Sequence, residues 1–159
     1  MKTTFIVPKD DDRTNGLNPP AFGRILPPVG LARMAGFVGR HGKVSLVDER
    51  ITSASHNCCA DVAVFFINSY NRQRCFSLAT LYRQTGSYVV FTGPMLAWDS
   101  AESLNYADSL LVGFGEECMG EFLSDYKQGR AKCFYHSACK ESLLSQSKTA
   151  VGHAPLSLA

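Results

Sequence analysis

No stretch of this chain approaches the roughly 20 consecutive apolar residues that a membrane-crossing helix needs, so a bilayer is not an expected partner. The N-terminus, Met1-Lys2-Thr3-Thr4-Phe5-Ile6-Val7, meets Pro8 and a cluster of acids before the core of a signal peptide could form, and a cytoplasmic location is expected. A dominant charge of one sign is also missing: 16 Lys and Arg stand against 14 Asp and Glu, for a net +2 at pH 7. Without a basic stripe or a block of like charges, nucleic acid is not an expected partner either. The six cysteines, Cys58, Cys59, Cys75, Cys118, Cys133 and Cys139, contain no Cys-x-x-Cys pair. In a cytoplasmic chain of this size, reduced thiols are expected over a disulfide framework.

What is there suffices for one core. The chain has 159 residues, 45% of them hydrophobic, enough for a single domain and too few for two ordinary ones. Five short apolar runs punctuate it: 3–7, 44–47, 62–67, 88–92 and 109–112. Each is too short for a helix and too continuously apolar for an exposed hairpin, which predicts buried parallel strands. Helical spacing joins Leu31, Met34, Ala35 and Val38, then Cys75, Leu78, Ala79 and Tyr82, then Phe122, Leu123 and Tyr126. Pro27 and Pro28 suit the start of the first helix, Gly42 is expected to stop it with left-handed geometry, and Asp99-Ser100-Ala101-Glu102 suits the start of a short one.

Strands alternating with helices need right-handed crossovers, which put helices on both faces of the sheet. The expectation is an α/β, doubly wound, five-stranded parallel sheet in the order 2-1-3-4-5, with residues 131–136 available as a further edge strand. The domain spans 1–136 and a loosely ordered tail spans 137–159. In this topology ligands bind outside the carboxyl ends of the strands, at the switch point between the first and third. The candidate binding residues are therefore Asp10 and Asn15 after the first strand, Pro28 and Gly30 at the helix start, and Asn68, Ser69 and Tyr70 after the third strand. Thr92, Gly93, Pro94 and Met95 follow the fourth, and Gly113, Phe114, Gly115 and Glu116 follow the fifth. Gly93, Gly113 and Gly115 remove side chains where a flat ligand would approach backbone, although strand-to-helix turns alone also use glycine there. Cys133-x-x-His136-x-x-Cys139 is the one local cluster of soft-metal ligand types.

Several words of this sequence occur together in one known setting. Pro27-Pro28-Val29-Gly30-Leu31-Ala32, Gly42-Lys43-Val44-Ser45-Leu46-Val47-Asp48, Ala60-Asp61-Val62-Ala63-Val64-Phe65, Val89-Val90-Phe91-Thr92-Gly93-Pro94 and 107–116 follow one another in order. Over roughly residues 5–135 the chain thereby resembles the cobalamin-binding domain found at the N-terminus of radical S-adenosylmethionine enzymes, a flavodoxin-like fold. The resemblance implies cobalamin, or a related tetrapyrrole such as haem, held at the carboxyl edge of the sheet.

The departures from that pattern shape the functional expectation. The Cys-x-x-x-Cys-x-x-Cys that would hold an iron–sulfur cluster is absent, so a free-standing module without the catalytic domain is expected. Methyltransferase and mutase carriers place a histidine in Asp-x-His-x-x-Gly; here Asp10-Asp11-Asp12-Arg13-Thr14-Asn15-Gly16 has none, which predicts no protein histidine as the lower cobalt ligand. Met95 stands where relatives often carry histidine, and its thioether suits a corrin face, haem iron or simple gap-filling. A phosphoacceptor receiver is not expected, because the third strand ends Ile67-Asn68-Ser69, with no acceptor carboxylate. No catalytic residue is expected. The chain reads as a carrier, a sensor or an accessory to a separate enzyme, with a homodimer or that enzyme covering the ligand. The competing reading is an interaction module that has lost the ligand.

Overall fold

The apolar runs become the strands of one parallel sheet in a computed structural model that describes residues 1–11, 29–51, 60–98, 100–113 and 115–137. Strand β1 (Lys2–Val7) leads through the first crossover to helix α1 (Val29–Gly39) and strand β2 (Lys43–Asp48). Then follow β3 (Val62–Phe66), α2 (Arg72–Gln84), β4 (Tyr88–Thr92), a 3₁₀ turn (Pro94–Ala97), α3 (Ser100–Ser103), β5 (Ser109–Val112), α4 (Gly115–Lys127) and β6 (Phe134–His136). The strand order is β2-β1-β3-β4-β5-β6, parallel throughout. The expected doubly wound order is therefore present, with a sixth strand added at the β5 edge.

Alternation along each strand sorts the core into two layers. Phe5, Val64, Val90 and Leu111 face α1 and α4 and meet Leu31, Met34, Val38, Met119, Phe122 and Leu123. Ile6, Phe65, Phe91 and Leu110 face the opposite way and meet Cys75, Phe76, Leu78, Ala79 and Tyr82 of α2. Helical spacing thus identified the buried stripes of α1 and α2 (Ala35 is only partly covered), and burial raises the Cys75 thiol well above its ordinary pKa.

Two local expectations change. Gly42 is absent from the positive-φ glycines, so left-handed geometry does not end α1. The last turn tightens instead through His41 N–H donating to the Val38 carbonyl (2.8 Å), and Gly42 is a site of close approach: a Cβ there would lie 2.6 Å from the Met1 carbonyl oxygen. The run 44–47 is an edge strand and not a fully buried one, with the Leu46 side chain half exposed. Pro27, Pro28 and Asp99 lie outside the described residues, as does the proposed tail beyond Ser137.

Beyond β2 the chain turns on a tight ion pair. Arg50 Nε and Nη2 donate to the two oxygens of Asp48 at 2.8 and 2.6 Å. The hydrogen bonds from Arg50 hold the Asp48 carboxyl below its usual pKa, against an opposing push from burial. Because the folded value is the lower one, this contribution is fully present above the unfolded carboxyl pKa of about 3.9 and disappears as pH falls through the folded value. Asp48→Asn should therefore cost about 1 kcal/mol at pH 7 and progressively less below pH 4, read as converging urea midpoints for variant and parent. A gap that persists at pH 2 would show that the carboxylate charge is not the source.

Candidate functional site

At the switch point between β1 and β3 the polar side chains are spent on one another. The Asp11 carboxylate accepts from the backbone N–H groups of Gln73 and Arg74 (2.9 and 2.7 Å), satisfying the open first turn of α2. Glu49, whose side chain is 3% exposed, receives Arg74 in a two-pronged pair at 3.0 and 2.6 Å. Asn68 Oδ1 accepts from the N–H groups of Tyr70 and Asn71, and Asn71 Oδ1 accepts in return from Asn68 N–H. Asn71 Nδ2 donates to the Phe66 carbonyl at 3.0 Å, with the Pro8 carbonyl at 3.5 Å, so this one amide bridges the ends of β3 and β1. Asp10 is half buried beside Arg50, and its charge is a small contributor to the raised pKa of that arginine, after the dominant Asp48 hydrogen bonds.

The cleft lies one step further along the sheet, on the α1 face. A pocket of about 470 Å³ opens over the carboxyl ends of β3, β4, β5 and β6. Among the described residues its wall comes from Gly30, Leu31 and Met34 of α1, Phe66, Thr92, Gly93, Pro94, Ala97, Val112, Gly113 and His136. The lining is mostly apolar, and among the described residues His136 is its single titratable side chain. Gly30 and Leu31, in the first described turn of α1, bring that turn's backbone to the same wall.

The glycines here have structural reasons that are independent of any ligand. Gly93 has φ of 142°, and a Cβ on it would lie 2.1 Å from the Ile67 carbonyl oxygen, inside the turn where Ile67 N–H donates to the Thr92 carbonyl (2.8 Å). Gly113 has φ of 97°, and a Cβ there would lie 2.4 Å from Ser137 Oγ. Both therefore serve the chain's own backbone while exposing it to the pocket.

No protein-family model matches this chain, and no curated protein matches it.

The structure brings together Gly30, Thr92, Gly93, Pro94 and Gly113 of the expected binding residues. It does not bring Asn68, Ser69, Tyr70 or Asp10 to that wall: Asn68 is committed to its turn, and Ser69 and Tyr70 are exposed. Met95 is half buried and packs against the α2-side core, which agrees with gap-filling and puts it away from the pocket. Gly115 and Glu116 open α4; Asn15, Pro28, Phe114 and Cys139 lie outside the described residues.

In the Cys133-x-x-His136 pair, Cys133 precedes β6 and His136 ends it. Among the described residues no group of three His, Cys, Asp or Glu side chains gathers to hold a metal.

Sequence reasoning missed Leu31, Met34, Phe66, Ala97, Val112 and His136 as wall residues. For Met34 a signal existed: a crossover helix runs antiparallel to its strands, so its first turns must lie beside the carboxyl edge. The expectation of no protein histidine as the lower cobalt ligand rested on the loop after β1, and His136 reaches the cleft from another strand.

Proposed function

We propose that this chain is a non-catalytic binding module that holds cobalamin or a related tetrapyrrole at the carboxyl edge of its sheet. The observation that carries the reading is the pocket itself, about 470 Å³, within the 300–1,000 Å³ common for small-molecule sites, apolar on most sides and bordered by exposed backbone at Gly93 and Gly113. The residues fit such a group on two counts. Among the described residues a Cβ on Gly30 would meet no atom within 4 Å, which leaves open space at that wall, and the donors there, the His136 imidazole and the Met34 thioether, suit cobalt or iron. Leu31, Met34, Phe66 and Val112 would lie against the ring face, and the backbone of the first described turn of α1 would meet a polar edge. When bound, the tetrapyrrole supplies the metal-centred chemistry, while the protein orients it and excludes water. A corrin with its side chains is larger than this cleft, so its outer face would need cover from a second copy of the chain or a separate enzyme.

The test is retention of hydroxocobalamin and, separately, hemin through gel filtration, followed by the absorption spectrum. The parent is expected to retain at least one of them with a shifted spectrum. Gly30→Trp fills open space at the start of a helix, so it should keep the parent's thermal midpoint and lose retention at least about tenfold, equivalent to about 1.4 kcal/mol. Undiminished retention by a folded Gly30→Trp would place the ligand elsewhere; failure of the parent to retain either compound would remove the proposal.

A further inference from the structure

We propose that His136 is the side chain through which this protein ligates the metal of a bound tetrapyrrole, an inference that rests on the binding reading above. His136 pairs with Val112 in the β5–β6 register, so it stands at the carboxyl end of the last strand, next to Gly113. From there it forms one wall of the pocket, whose other walls include Leu31 and Met34 of α1. The imidazole is exposed and has no hydrogen bond or ion pair among the described residues.

Two further observations favour a ligating role. The residues before and after His136 are both anchored: Tyr135 is 1% exposed with its hydroxyl bonded to Lys132 N–H and Asp125, and Ser137 N–H donates to the Val112 carbonyl at 3.1 Å. A ligand on a rigid element needs little ordering when the metal arrives. The remaining wall also offers little competition, since its other side-chain heteroatoms among the described residues are the Thr92 hydroxyl and the Met34 thioether. An imidazole is the stronger donor to cobalt or iron of the three.

The shared chemistry is imidazole ligation, and two probes separate the possible sources. Cob(II)inamide has no nucleotide base of its own, so nitrogen coupling in its electron paramagnetic resonance spectrum must come from the protein; ferric hemin reports through its Soret band. With the parent, one bound nitrogen should split the cob(II)inamide lines into triplets, which become doublets when histidine is labelled with ¹⁵N, or hemin should show an imidazole-ligated spectrum. His136→Ala should lose that signature, weaken retention at least about tenfold, and regain the signature when free imidazole is added. Retention without nitrogen coupling or an imidazole-type spectrum, or a signature that survives in His136→Ala, would overturn the ligand assignment and leave tetrapyrrole binding standing. If the parent retains neither probe nor hydroxocobalamin, both the assignment and the binding reading fall.

Discussion

Gly93→Ala should cost about 4 kcal/mol or more, most of the stability of an ordinary domain of this size. Two independent penalties combine at this residue. The backbone holds φ of 142°, which a residue with a Cβ rarely adopts, and the added methyl would sit 2.1 Å from the Ile67 carbonyl oxygen. Relief by movement is costly, because Ile67 N–H is bonded to the Thr92 carbonyl and the turn closes the ends of adjacent strands β3 and β4. Gly113→Ala is the internal comparison: its φ of 97° carries a similar conformational penalty, but the colliding atom is a serine hydroxyl that can rotate away. Its loss should stay within about 1–3 kcal/mol. Urea unfolding of both variants decides the matter, and a Gly93→Ala loss no larger than that of Gly113→Ala would show that the Ile67 contact is not a rigid one. Gly93 is consequently a poor reporter of ligand binding, since its substitution tests the fold before it tests the pocket.

The strands were legible because burial on both faces leaves no room for alternation: Val62-Ala63-Val64-Phe65 and Tyr88-Val89-Val90-Phe91 read as continuous apolar runs. Strand β6 was harder, with three residues of which only Tyr135 is buried, so its pattern carries almost no periodicity. At the site, sequence position located the turns but not the face of the sheet on which a cleft would open. Asn68 and Tyr70 follow a strand end as Gly93 and Pro94 do, yet the first pair is drawn into hydrogen bonds within its own turn. That difference depends on Asn71, a partner three residues on, and on Pro8 from a distant strand end. His136 was legible as a ligand type, but its role was tied to its neighbours in sequence; the register of β6 on β5 pairs it with Val112 and sets it beside Gly113.

The amide of Asn71 should be as sensitive as Gly93 for a different reason. The residue is 1% exposed, its Oδ1 accepts from Asn68 N–H at 2.9 Å, and its Nδ2 donates to the Phe66 carbonyl at 3.0 Å. Asn71→Asp keeps the shape and replaces the donor with a carboxylate oxygen that faces the Phe66 and Pro8 carbonyls. A buried charge without a donor opposite it is the expensive outcome, and a loss of about 3–4 kcal/mol is expected at pH 7. The new carboxyl would have its folded pKa raised by burial and by the facing carbonyls, so the destabilisation is complete at high pH and recedes as pH falls through the folded value. Protonation restores one O–H donor toward the Phe66 carbonyl. Asn71→Asp should therefore approach the parent's stability near pH 4, the reverse of the trend expected at Asp48, whose native carboxyl is stabilised in its charged form. Asn71→Leu, which cannot titrate, should lose about 2–3 kcal/mol with no such recovery. Urea midpoints measured between pH 4 and 8 separate the three proteins; an Asn71→Asp deficit that does not shrink on acidification would mean that the bridge between β1 and β3 does not depend on the amide donor.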